Sequence, residues 1–455
     1  MMRSWNLSEL EVPLEGHLMG HDRTVTGISI NSRDPQEGAL FVALCGERFD
    51  GHEFLGQAQQ SGAVAALVSR DVDLALPLLR VADTQRALGK LGAYNRESFV
   101  GQLVAITGSS GKTTVKNMIA AILSVRGETL ATRGNFNNEI GVPLTLLELK
   151  PEHQFAVVEM GAARRGDIAW LCELGRPSIA LLLNALPAHL QGFGSIEDVA
   201  AAKGEIFDNL GRSGIAIINA DEIWSQQWRD RASPARVIDY GVATSAAIGA
   251  AAIESLGISG TRFIATTPLG DIEVLLRLPG LHNVSNALAA IAVGVACDLS
   301  VAEIKQGLES AAPVAGRLSV QRVSSGAEII DDCYNANPGS VRAAIDLLVS
   351  CDGRGTLILG AMGELGADSA ALHNDIGVYA KASGLDQFWG VGPELESAVV
   401  AFGDGGRHFS DRSLAQQALS GAFAAGDVVL IKGSRSTAME QLLHALQKNE
   451  FEGGG

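Results

Sequence analysis

Residues 103–115, LVAITGSSGKTTV, decide the fold of this 455-residue chain. An apolar run at 103–107 leads into a glycine-rich turn, and the segment after the turn carries apolar residues at helical spacing. This order of strand, glycine loop and helix is typical of a phosphate-binding loop (P-loop), in which backbone N–H groups at the helix start surround phosphate oxygens. We therefore predict a nucleoside triphosphate site. The apolar positions of the helix are Val115, Met118, Ile119, Ile122 and Leu123.

The loop departs from the general pattern G-x-x-x-x-G-K-[ST], because Ile106 stands where the first glycine belongs. Even so, Lys112 is placed to reach the β- and γ-phosphates, and the Thr113 hydroxyl is placed to bind Mg²⁺. The alternative is a glycine turn followed by a surface lysine, and the strand and helix around the loop count against it. The predicted ATP-binding residues of the loop are Thr107, Gly108, Ser109, Ser110, Gly111, Lys112, Thr113 and Thr114.

Continuous apolar runs alternate with helical patterns over most of the chain. Such runs are expected for parallel strands that helices cover on both faces. We predict an α/β fold of three domains, with a central P-loop domain built on a doubly wound, mostly parallel sheet and a C-terminal Rossmann-like domain. The predicted strands include 103–107, 155–160, 179–183, 215–219, 356–360 and 427–432.

The domain limits follow from the length and from breaks in this alternation. At about 150 residues per domain, the chain is long enough for about three domains. We place an N-terminal domain at 1–98, a central domain at 99–312 and a C-terminal domain at 313–455. Short alternating runs within 247–278 predict a small antiparallel insertion.

The composition restricts the partners and the compartment. The chain has 35 Lys and Arg against 51 Asp and Glu, a net charge of −16, which argues against nucleic acid or an anionic membrane as the main partner. The 5 cysteines contain no C-x-x-C pair, which fits a reducing compartment. No secretory signal or membrane-spanning run is recognisable. We expect a cytoplasmic monomer that binds small molecules.

Two predicted strand ends carry candidate site residues. Glu159 ends the run 155–160, at the edge where parallel sheets bind ligands, so it could hold Mg²⁺ together with Thr113. The alternative is an ordinary surface acid. His189 follows the run 179–183 after a short loop and is either a metal ligand or, as is more common for a lone histidine, a capping or packing residue.

Lys203 lies on the inward face of a predicted helix at 196–210, for which Ser195 is the candidate N-cap. An inward lysine must extend to solvent, pair with an acid or lose its charge. Extension to solvent is the commonest of these. A neutral lysine could instead react with CO₂ to form a carbamate, which would be an anionic metal ligand.

These residues belong to an ordered set of motifs that resembles the Mur ligase family, the ATP-dependent amide-forming ligases of peptidoglycan precursor synthesis. Each motif is weak alone, but the set runs along nearly the whole chain. Two departures are Asn31 and Leu183, where the family often has Asp and Thr. The motifs are TGSSGKTT (107–114), NFNNEIGVPL (135–144), EMG (159–161), AHL (188–190), KGE (203–205), GLHNVSN (280–286) and GR (316–317).

Four further runs resemble the family members that add D-alanyl-D-alanine to UDP-N-acetylmuramoyl-tripeptide. This resemblance implies activation of the tripeptide carboxylate by ATP through an acyl phosphate, with release of ADP and phosphate. The product would be the pentapeptide precursor of peptidoglycan, so it implies a role in cell wall biogenesis, cell shape and cell division. The runs are GALFVALCG (38–46), DGH (50–52), DDCYNANPGS (331–340) and KGSRS (432–436).

The resemblance also implies residue roles. Thr113 and Glu159 would hold one Mg²⁺, while His189 and a carbamylated Lys203 would help to hold a second; with Lys112 these are the implied catalytic residues. The implied contacts to ATP outside the loop are Asn283, Asn286, Arg317 and Asp332. The implied substrate contacts are Ser32, Arg33, Gly46, Asp50, Gly51 and His52 for the UDP-sugar, together with Asn135, Asn137 and Asn138.

Some of these residues have plainer explanations. His52 alone would more often be a loop or core histidine, and Asn283 and Asn286 could simply cap a helix. Rival functions are a family member that adds a single amino acid and a folylpolyglutamate synthase. The run 331–338 and the N-terminal piece that resembles a UDP-sugar site argue against both. A nucleotide-dependent switch that binds guanine would carry Asn-Lys-x-Asp, which the sequence lacks.

Overall fold

The computed structural model describes residues 3–33, 37–46, 49–187 and 193–452. Within these residues, strands and helices alternate as the apolar runs predict. The strands are β1 (Trp5–Asn6), β2 (His17–Met19), β3 (Thr24–Val25), β4 (Gly27–Ser29), β5 (Ala39–Val42), β6 (Ala63–Val68), β7 (Leu78–Arg80), β8 (Gln102–Thr107), β9 (Thr129–Ala131), β10 (Phe155–Glu159), β11 (Ile179–Leu182), β12 (Ile215–Asn219), β13 (Arg236–Tyr240), β14 (Gly249–Ser255), β15 (Thr261–Thr266), β16 (Ile272–Leu276), β17 (Ser319–Arg322), β18 (Glu328–Asp332), β19 (Arg354–Gly360), β20 (Gln387–Val391), β21 (Gly406–Phe409) and β22 (Asp427–Lys432).

The α-helices that separate the strands vary from one turn and a half to four turns. They are α1 (Leu7–Leu14), α2 (Leu55–Gln60), α3 (Thr84–Glu97), α4 (Lys112–Ser124), α5 (Gly141–Leu147), α6 (Asp167–Gly175), α7 (Ile196–Gly204), α8 (Ser225–Ala232), α9 (His282–Ala296), α10 (Val301–Ser310), α11 (Pro338–Val349), α12 (Ser369–Ala382), α13 (Glu396–Phe402), α14 (Arg412–Ala418) and α15 (Glu440–Glu452). No helix in the described ranges is long and apolar enough to cross a membrane.

Three larger sheets follow one another along the chain. The first has the order β2-β7-β6-β5-β4, and β2 is its antiparallel member. The second, β13-β12-β11-β8-β10-β9, is parallel throughout. The third, β17-β18-β22-β19-β20-β21, is parallel apart from β17. This arrangement confirms the predicted α/β class, and the domain limits at 98/99 and 312/313 stay predictions.

The central sheet is covered on both faces because successive side chains of a strand point to opposite sides. Val104 and Ile106 of β8 pack with α4 and α9, whereas Leu103 and Ala105 pack with α5, α6 and α7. All five apolar positions predicted for α4 are buried. The antiparallel sheet β14-β15-β16 adds to the α9 side, which confirms the insertion predicted within 247–278.

The packing of α10 against α4 gives a direct test of this core. Gly307 of α10 faces α4 so closely that an added Cβ would overlap the backbone of Ile122 and lie 2.8 Å from the carbonyl oxygen of Ala121. We expect Gly307→Ala to lower the free energy of unfolding by about 1–3 kcal/mol, because backbone must move to admit the methyl group. The measurement is the midpoint of urea unfolding.

Gly56 of α2 is a matched control, since nothing lies within 4 Å of a Cβ added there. Gly56→Ala should be neutral or stabilising by up to about 1 kcal/mol, because alanine has the higher helix propensity. Equal midpoints for the two variants would contradict the close α4–α10 packing.

Candidate active site

A cleft of about 690 Å³ opens where the carboxyl ends of β8, β10 and β11 face the C-terminal sheet. Parallel strands end at one edge of their sheet, so residues far apart in sequence meet there. The cleft brings together most of the predicted catalytic and ATP-binding residues. Those that line it are Ser109, Ser110, Gly111, Lys112, Thr113, Thr114, Asn135, Asn137, Asn138, Glu159, Lys203, Asn283, Asn286, Arg317 and Asp332.

The P-loop has the geometry that its glycines predict. Gly111 immediately precedes α4 with a φ of +83°, and a Cβ there would approach Oδ1 of Asn286 to 2.7 Å, so glycine is required for both reasons. Lys112 folds back over the loop and donates from Nζ to the carbonyl oxygen of Gly108 at 2.6 Å. Loss of hydration in the cleft lowers the pKa of Lys112, while nearby Glu159 raises it. The loop is thus shaped before any phosphate arrives.

Thr113 and Glu159 meet as predicted. The Thr113 hydroxyl donates to Oε2 of the buried Glu159 at 2.9 Å, and Nδ2 of Asn137 donates to Oε1 at 2.8 Å. Arg317 reaches across from the C-terminal part of the chain and donates from Nη2 to Oγ1 of Thr113 at 3.1 Å. A hydroxyl and a carboxylate are oxygen ligands of the kind that Mg²⁺ prefers, so this pair fits the predicted metal.

Lys203 lies at the carboxyl-terminal end of α7, whose N-cap Ser195 accepts a hydrogen bond from the backbone N–H of Asp198 as predicted. The side chain is 2% exposed, so it does not extend to solvent. Burial above all, and then the charge of Lys112, hold the pKa of Lys203 well below its usual range. The geometry therefore favours a neutral amine facing the cleft. His189 lies outside the described residues, so its predicted position beside Lys203 is not described.

Asn283 and Asn286 are linked at the start of α9. Asn283 donates to the carbonyl oxygen of Pro279 at 2.7 Å, and Asn286 donates to Oδ1 of Asn283 at 2.9 Å. Asn283 therefore binds the chain just before the helix but does not cap it, because the N-cap is Leu281 and no side chain accepts a hydrogen bond there. Asn286 is the member that lies against Gly111. The neighbouring His282 has its pKa lowered to about 4 by burial and by Lys432, so it is neutral at pH 7.

The C-terminal residues form a second charged group across the cleft. Arg317 stacks on the ring of Tyr334, with the guanidinium carbon 4.1 Å from the ring centre. Asp332 accepts a hydrogen bond from Nζ of the buried Lys432, which also donates to the carbonyl oxygen of Asn335 at 2.8 Å. Burial raises the pKa of Asp332, and the Lys432 charge opposes that rise. The predicted Arg317 and Asp332 therefore share one side of the cleft.

The residues predicted for the UDP-sugar lie elsewhere. Oδ1 of Asp50 accepts hydrogen bonds from the backbone N–H and from Nδ1 of His52, at 2.9 and 2.6 Å. These bonds lower the pKa of Asp50 to about 2. Ser69 donates its backbone N–H to Nε2 of His52 at 3.0 Å, so Nδ1 carries the proton and neither ring nitrogen is free for a metal. His52 is buried in the 3₁₀ turn Gly51–Phe54, for which Asp50 is the N-cap.

The rest of this N-terminal group is more exposed. Ser32 donates to Oε1 of Gln57 at 2.7 Å, while Arg33 and Gly46 are exposed and Gly51 is buried against the backbone of Leu44. Among the residues that the structure describes, none of this predicted set lines the cleft at the P-loop. A ligand that touches both regions must be long.

Several residues of the cleft were not predicted from the sequence. Oδ1 of Asn184 accepts the backbone N–H groups of Ser109 and Ser110, at 3.0 and 2.9 Å, and so fixes the loop. Burial raises the pKa of Glu222 to about 7. Both residues follow a predicted strand, the same signal that identified Glu159. Tyr334 and Lys432 lie within quoted motifs, but nothing in the sequence singles them out there.

Comparison with known proteins covers almost the whole chain. Residues 106–294 match the family model of the Mur ligase middle domain. Residues 316–435 match the model described as Mur ligase, glutamate ligase domain, and residues 24–96 match that described as Mur ligase family, catalytic domain. These matches fall on the segments that carry the predicted motifs.

Two full-length relatives have the same name. The UDP-N-acetylmuramoyl-tripeptide--D-alanyl-D-alanine ligase of Escherichia coli (strain K12) is 45% identical over 450 residues, which is 98% of this chain and 99% of the relative. The enzyme of the same name from Haemophilus influenzae is 40% identical over 452 residues, covering 95% of this chain and 96% of the relative.

Solved structures show the same similarity. MurF from Acinetobacter baumannii superposes with a TM-score of 0.94 at 36% identity, covering 98% of this chain and 99% of that one. MurF from Thermotoga maritima, solved in complex with ADP, has a TM-score of 0.84 at 28% identity and covers 94% and 99% of the two chains. A folylpolyglutamate synthase from Mycobacterium tuberculosis, at 17% identity and a TM-score of 0.62, shares the fold alone.

Proposed function

The chain belongs to the Mur ligase family, and from that premise we propose that it joins D-alanyl-D-alanine to UDP-N-acetylmuramoyl-tripeptide at the expense of ATP. The observation that carries this function is the end-to-end identity of 45% with a ligase of that name. The products are the pentapeptide precursor of peptidoglycan, ADP and phosphate. The cleft between the P-loop and the C-terminal sheet is where the reaction would take place.

A carboxylate does not condense with an amine at neutral pH without activation. A carboxylate oxygen of the tripeptide attacks the γ-phosphorus of ATP, and the bond from that phosphorus to the β–γ bridging oxygen breaks, releasing ADP. The amine nitrogen of D-alanyl-D-alanine then attacks the acyl carbon. The tetrahedral intermediate expels phosphate and loses a proton to leave the new amide. Because an acyl phosphate hydrolyses readily, both steps need a cleft that excludes water.

Different residues of the cleft would bind the phosphates, compensate their charge and hold Mg²⁺. Backbone N–H groups of Gly111 and Lys112 hold the phosphates at the start of α4, since those of Ser109 and Ser110 donate to Asn184, and the Lys112 ammonium balances the phosphate charge. Arg317 brings a second fixed cation from the opposite side of the cleft. Thr113 and Glu159 would hold Mg²⁺, which when bound neutralises charge on the β- and γ-phosphates. Asn137 orients the Glu159 carboxylate for that task.

We further propose that Lys203 is carbamylated and, with His189, helps to hold a second Mg²⁺. Its buried, neutral amine supports this, because only an amine with a free lone pair attacks the carbon of CO₂. A nitrogen–carbon bond then forms, one C=O electron pair of CO₂ moves to its oxygen and the nitrogen loses a proton, so that a neutral side chain becomes an anionic one. A carbamate would also explain why Lys203 is buried close to the charge of Lys112.

The remaining assignments are proposals of the same kind. Asn283, Asn286, Arg317 and Asp332 would contact ATP. The UDP-sugar would bind the N-terminal group of Ser32, Arg33, Gly46, Asp50, Gly51 and His52, and Asn135, Asn137 and Asn138 would contact the peptide end. A long nucleotide–sugar–peptide fits the separation of the two regions. We propose a monomer of three domains (1–98, 99–312 and 313–455), located in the cytoplasm because ATP is its phosphoryl donor.

The test is release of phosphate from ATP with substrates omitted one at a time. We expect release only when UDP-N-acetylmuramoyl-tripeptide and D-alanyl-D-alanine are both present, because the acyl phosphate turns over when the amine attacks it. A panel of single amino acids replaces the dipeptide as a control. Release with a single amino acid but not with the dipeptide would identify a different ligase of the family, and release without either substrate would indicate a nucleotide switch.

A panel of tripeptides that differ in the third residue extends this assay. Each is supplied with ATP and D-alanyl-D-alanine at fixed concentration. The ratio of kcat/KM values identifies the preferred third residue of the natural substrate.

A further inference from the structure

Lys116 is a buried lysine that the mechanism does not use. It lies one helical turn after Lys112 on α4, is 3% exposed and does not line the cleft. Its ammonium donates from Nζ to the carbonyl oxygen of Thr132 at 2.6 Å, and no other described residue has a hydrogen bond to it. Methionine would fill similar space without the cost of burying a charge. A retained buried lysine therefore calls for a reason other than packing.

Thr132, the partner of Lys116, is the first residue after β9 and is itself buried. Its backbone N–H donates to the carbonyl oxygen of Val157 at 3.0 Å, so it continues the pairing of β9 with β10. Its hydroxyl accepts the backbone N–H of Glu159 at 3.0 Å. Thr132 thus links Lys116 to the backbone of Glu159, whose carboxylate would hold Mg²⁺.

The segment that begins at Thr132 returns to the same carboxylate five residues later. Nδ2 of Asn137 donates to Oε1 of Glu159 at 2.8 Å, and the carbonyl oxygen of Asn137 accepts the backbone N–H of Gly161 at 2.7 Å. Residues 132–140, which we call the asparagine loop, are therefore tied to β10 at both Thr132 and Asn137. The hydrogen bond from Lys116 connects Thr132, the first of these two contacts, to α4.

We propose that Lys116 is a positioning residue that anchors the asparagine loop, so that Asn135, Asn137 and Asn138 meet the peptide end of the UDP-linked substrate in register with Glu159. The inference rests on the proposed function, which assigns that substrate to the loop. The Lys116 ammonium acts through Thr132 and touches neither substrate. Burial lowers the pKa of Lys116, and nearby Glu159 opposes that change by raising it.

The experiment is Lys116→Met, assayed beside the parent enzyme. We expect the Kd of the variant for UDP-N-acetylmuramoyl-tripeptide, measured by calorimetry without ATP, to rise about tenfold, with a matching rise in its KM. The KM for ATP should rise less, because the contacts that shape the P-loop come from Gly108 and Asn184 and only Glu159, the proposed Mg²⁺ ligand, shares the contact with Thr132. Lys116→Arg, which keeps the charge and a donor, should recover part of the affinity.

The split between the two KM values separates positioning from general damage. Because the P-loop forms the start of α4, a variant that only disturbed this helix would weaken ATP as much as the UDP-linked substrate. Equal rises in both KM values would overturn the proposal, as would unchanged values for both. A parent enzyme that does not ligate would instead contradict the proposed function.

Thr132→Val supplies an independent variant, since it deletes the hydroxyl that accepts from Glu159 and leaves the carbonyl that Lys116 binds. It should raise the same Kd. The Kd of the double variant, Lys116→Met with Thr132→Val, should be no higher than that of the more affected single variant, because both changes break the same connection from Lys116 through Thr132 to Glu159. Additive losses would overturn the proposal. If Lys116→Met does not fold, Thr132→Val and Lys116→Arg carry the test, and an unchanged Kd in Thr132→Val overturns it.

Discussion

Lys112→Ala is expected to lower the rate of ligation by about a thousandfold or more while the protein stays folded. The Lys112 ammonium lies over the P-loop, 2.6 Å from the carbonyl oxygen of Gly108, where the phosphates of ATP would enter. A methyl group cannot balance the charge that develops as the γ-phosphoryl group moves. The fold should survive, because α4 is held by its apolar face, from Val115 to Leu123, and not by Lys112.

The measurement is phosphate release with both other substrates saturating, together with circular dichroism and urea unfolding. Lys305→Ala on α10 is the matched control, since Lys305 is a partly exposed lysine whose ion pair is with Glu309 in its own helix. That variant should ligate at the parent rate. A Lys112→Ala protein that keeps even a tenth of the parent rate would remove the P-loop from the mechanism.

The strands of the fold were predictable because each carries its own signal. The runs 215–219 and 427–432 are continuous, apolar and bounded by turns, and they coincide with β12 and β22. The helix predicted at 196–210 was less exact, since α7 ends at Gly204 and a 3₁₀ turn, Glu205–Phe207, follows. Glu205 accepts the backbone N–H groups of Gly166 and Ala169 at the start of α6, a contact that helical spacing cannot reveal.

The candidate site was predictable where it depends on strand ends. Thr113 and Glu159 were paired from the sequence because β8 and β10 end at one edge, and their side chains lie 2.9 Å apart. Contacts that depend on the order of strands in a sheet had no such signal. Lys432 and Asp332 are 100 positions apart and meet only because β22 pairs with β18. Periodicity indicates which face is buried, but it does not identify the partner on that face.

Lys203→Ala is expected to lower the rate of ligation by about a hundredfold or more, because it removes the proposed anionic ligand of the second Mg²⁺. Short carboxylates such as acetate or propionate should restore part of that rate, since the truncated side chain leaves room for an anion. Lys203→Glu, with a carboxylate already attached, should keep more activity than alanine and gain little from added acetate.

Lys203→Arg separates the carbamate from a simple need for a cation. Arginine keeps its charge at every accessible pH and does not form the carbamate, so this variant should be as inactive as alanine. The wild-type amine behaves differently, because burial above all, and then the charge of Lys112, lower its pKa and so favour the neutral form that reacts with CO₂. A carbamate carbon signal should therefore appear in the ¹³C NMR spectrum of the parent enzyme supplied with ¹³C-bicarbonate, and be missing from Lys203→Arg. Full activity in Lys203→Arg, or the same signal in both proteins, would mean that Lys203 is not the modified residue.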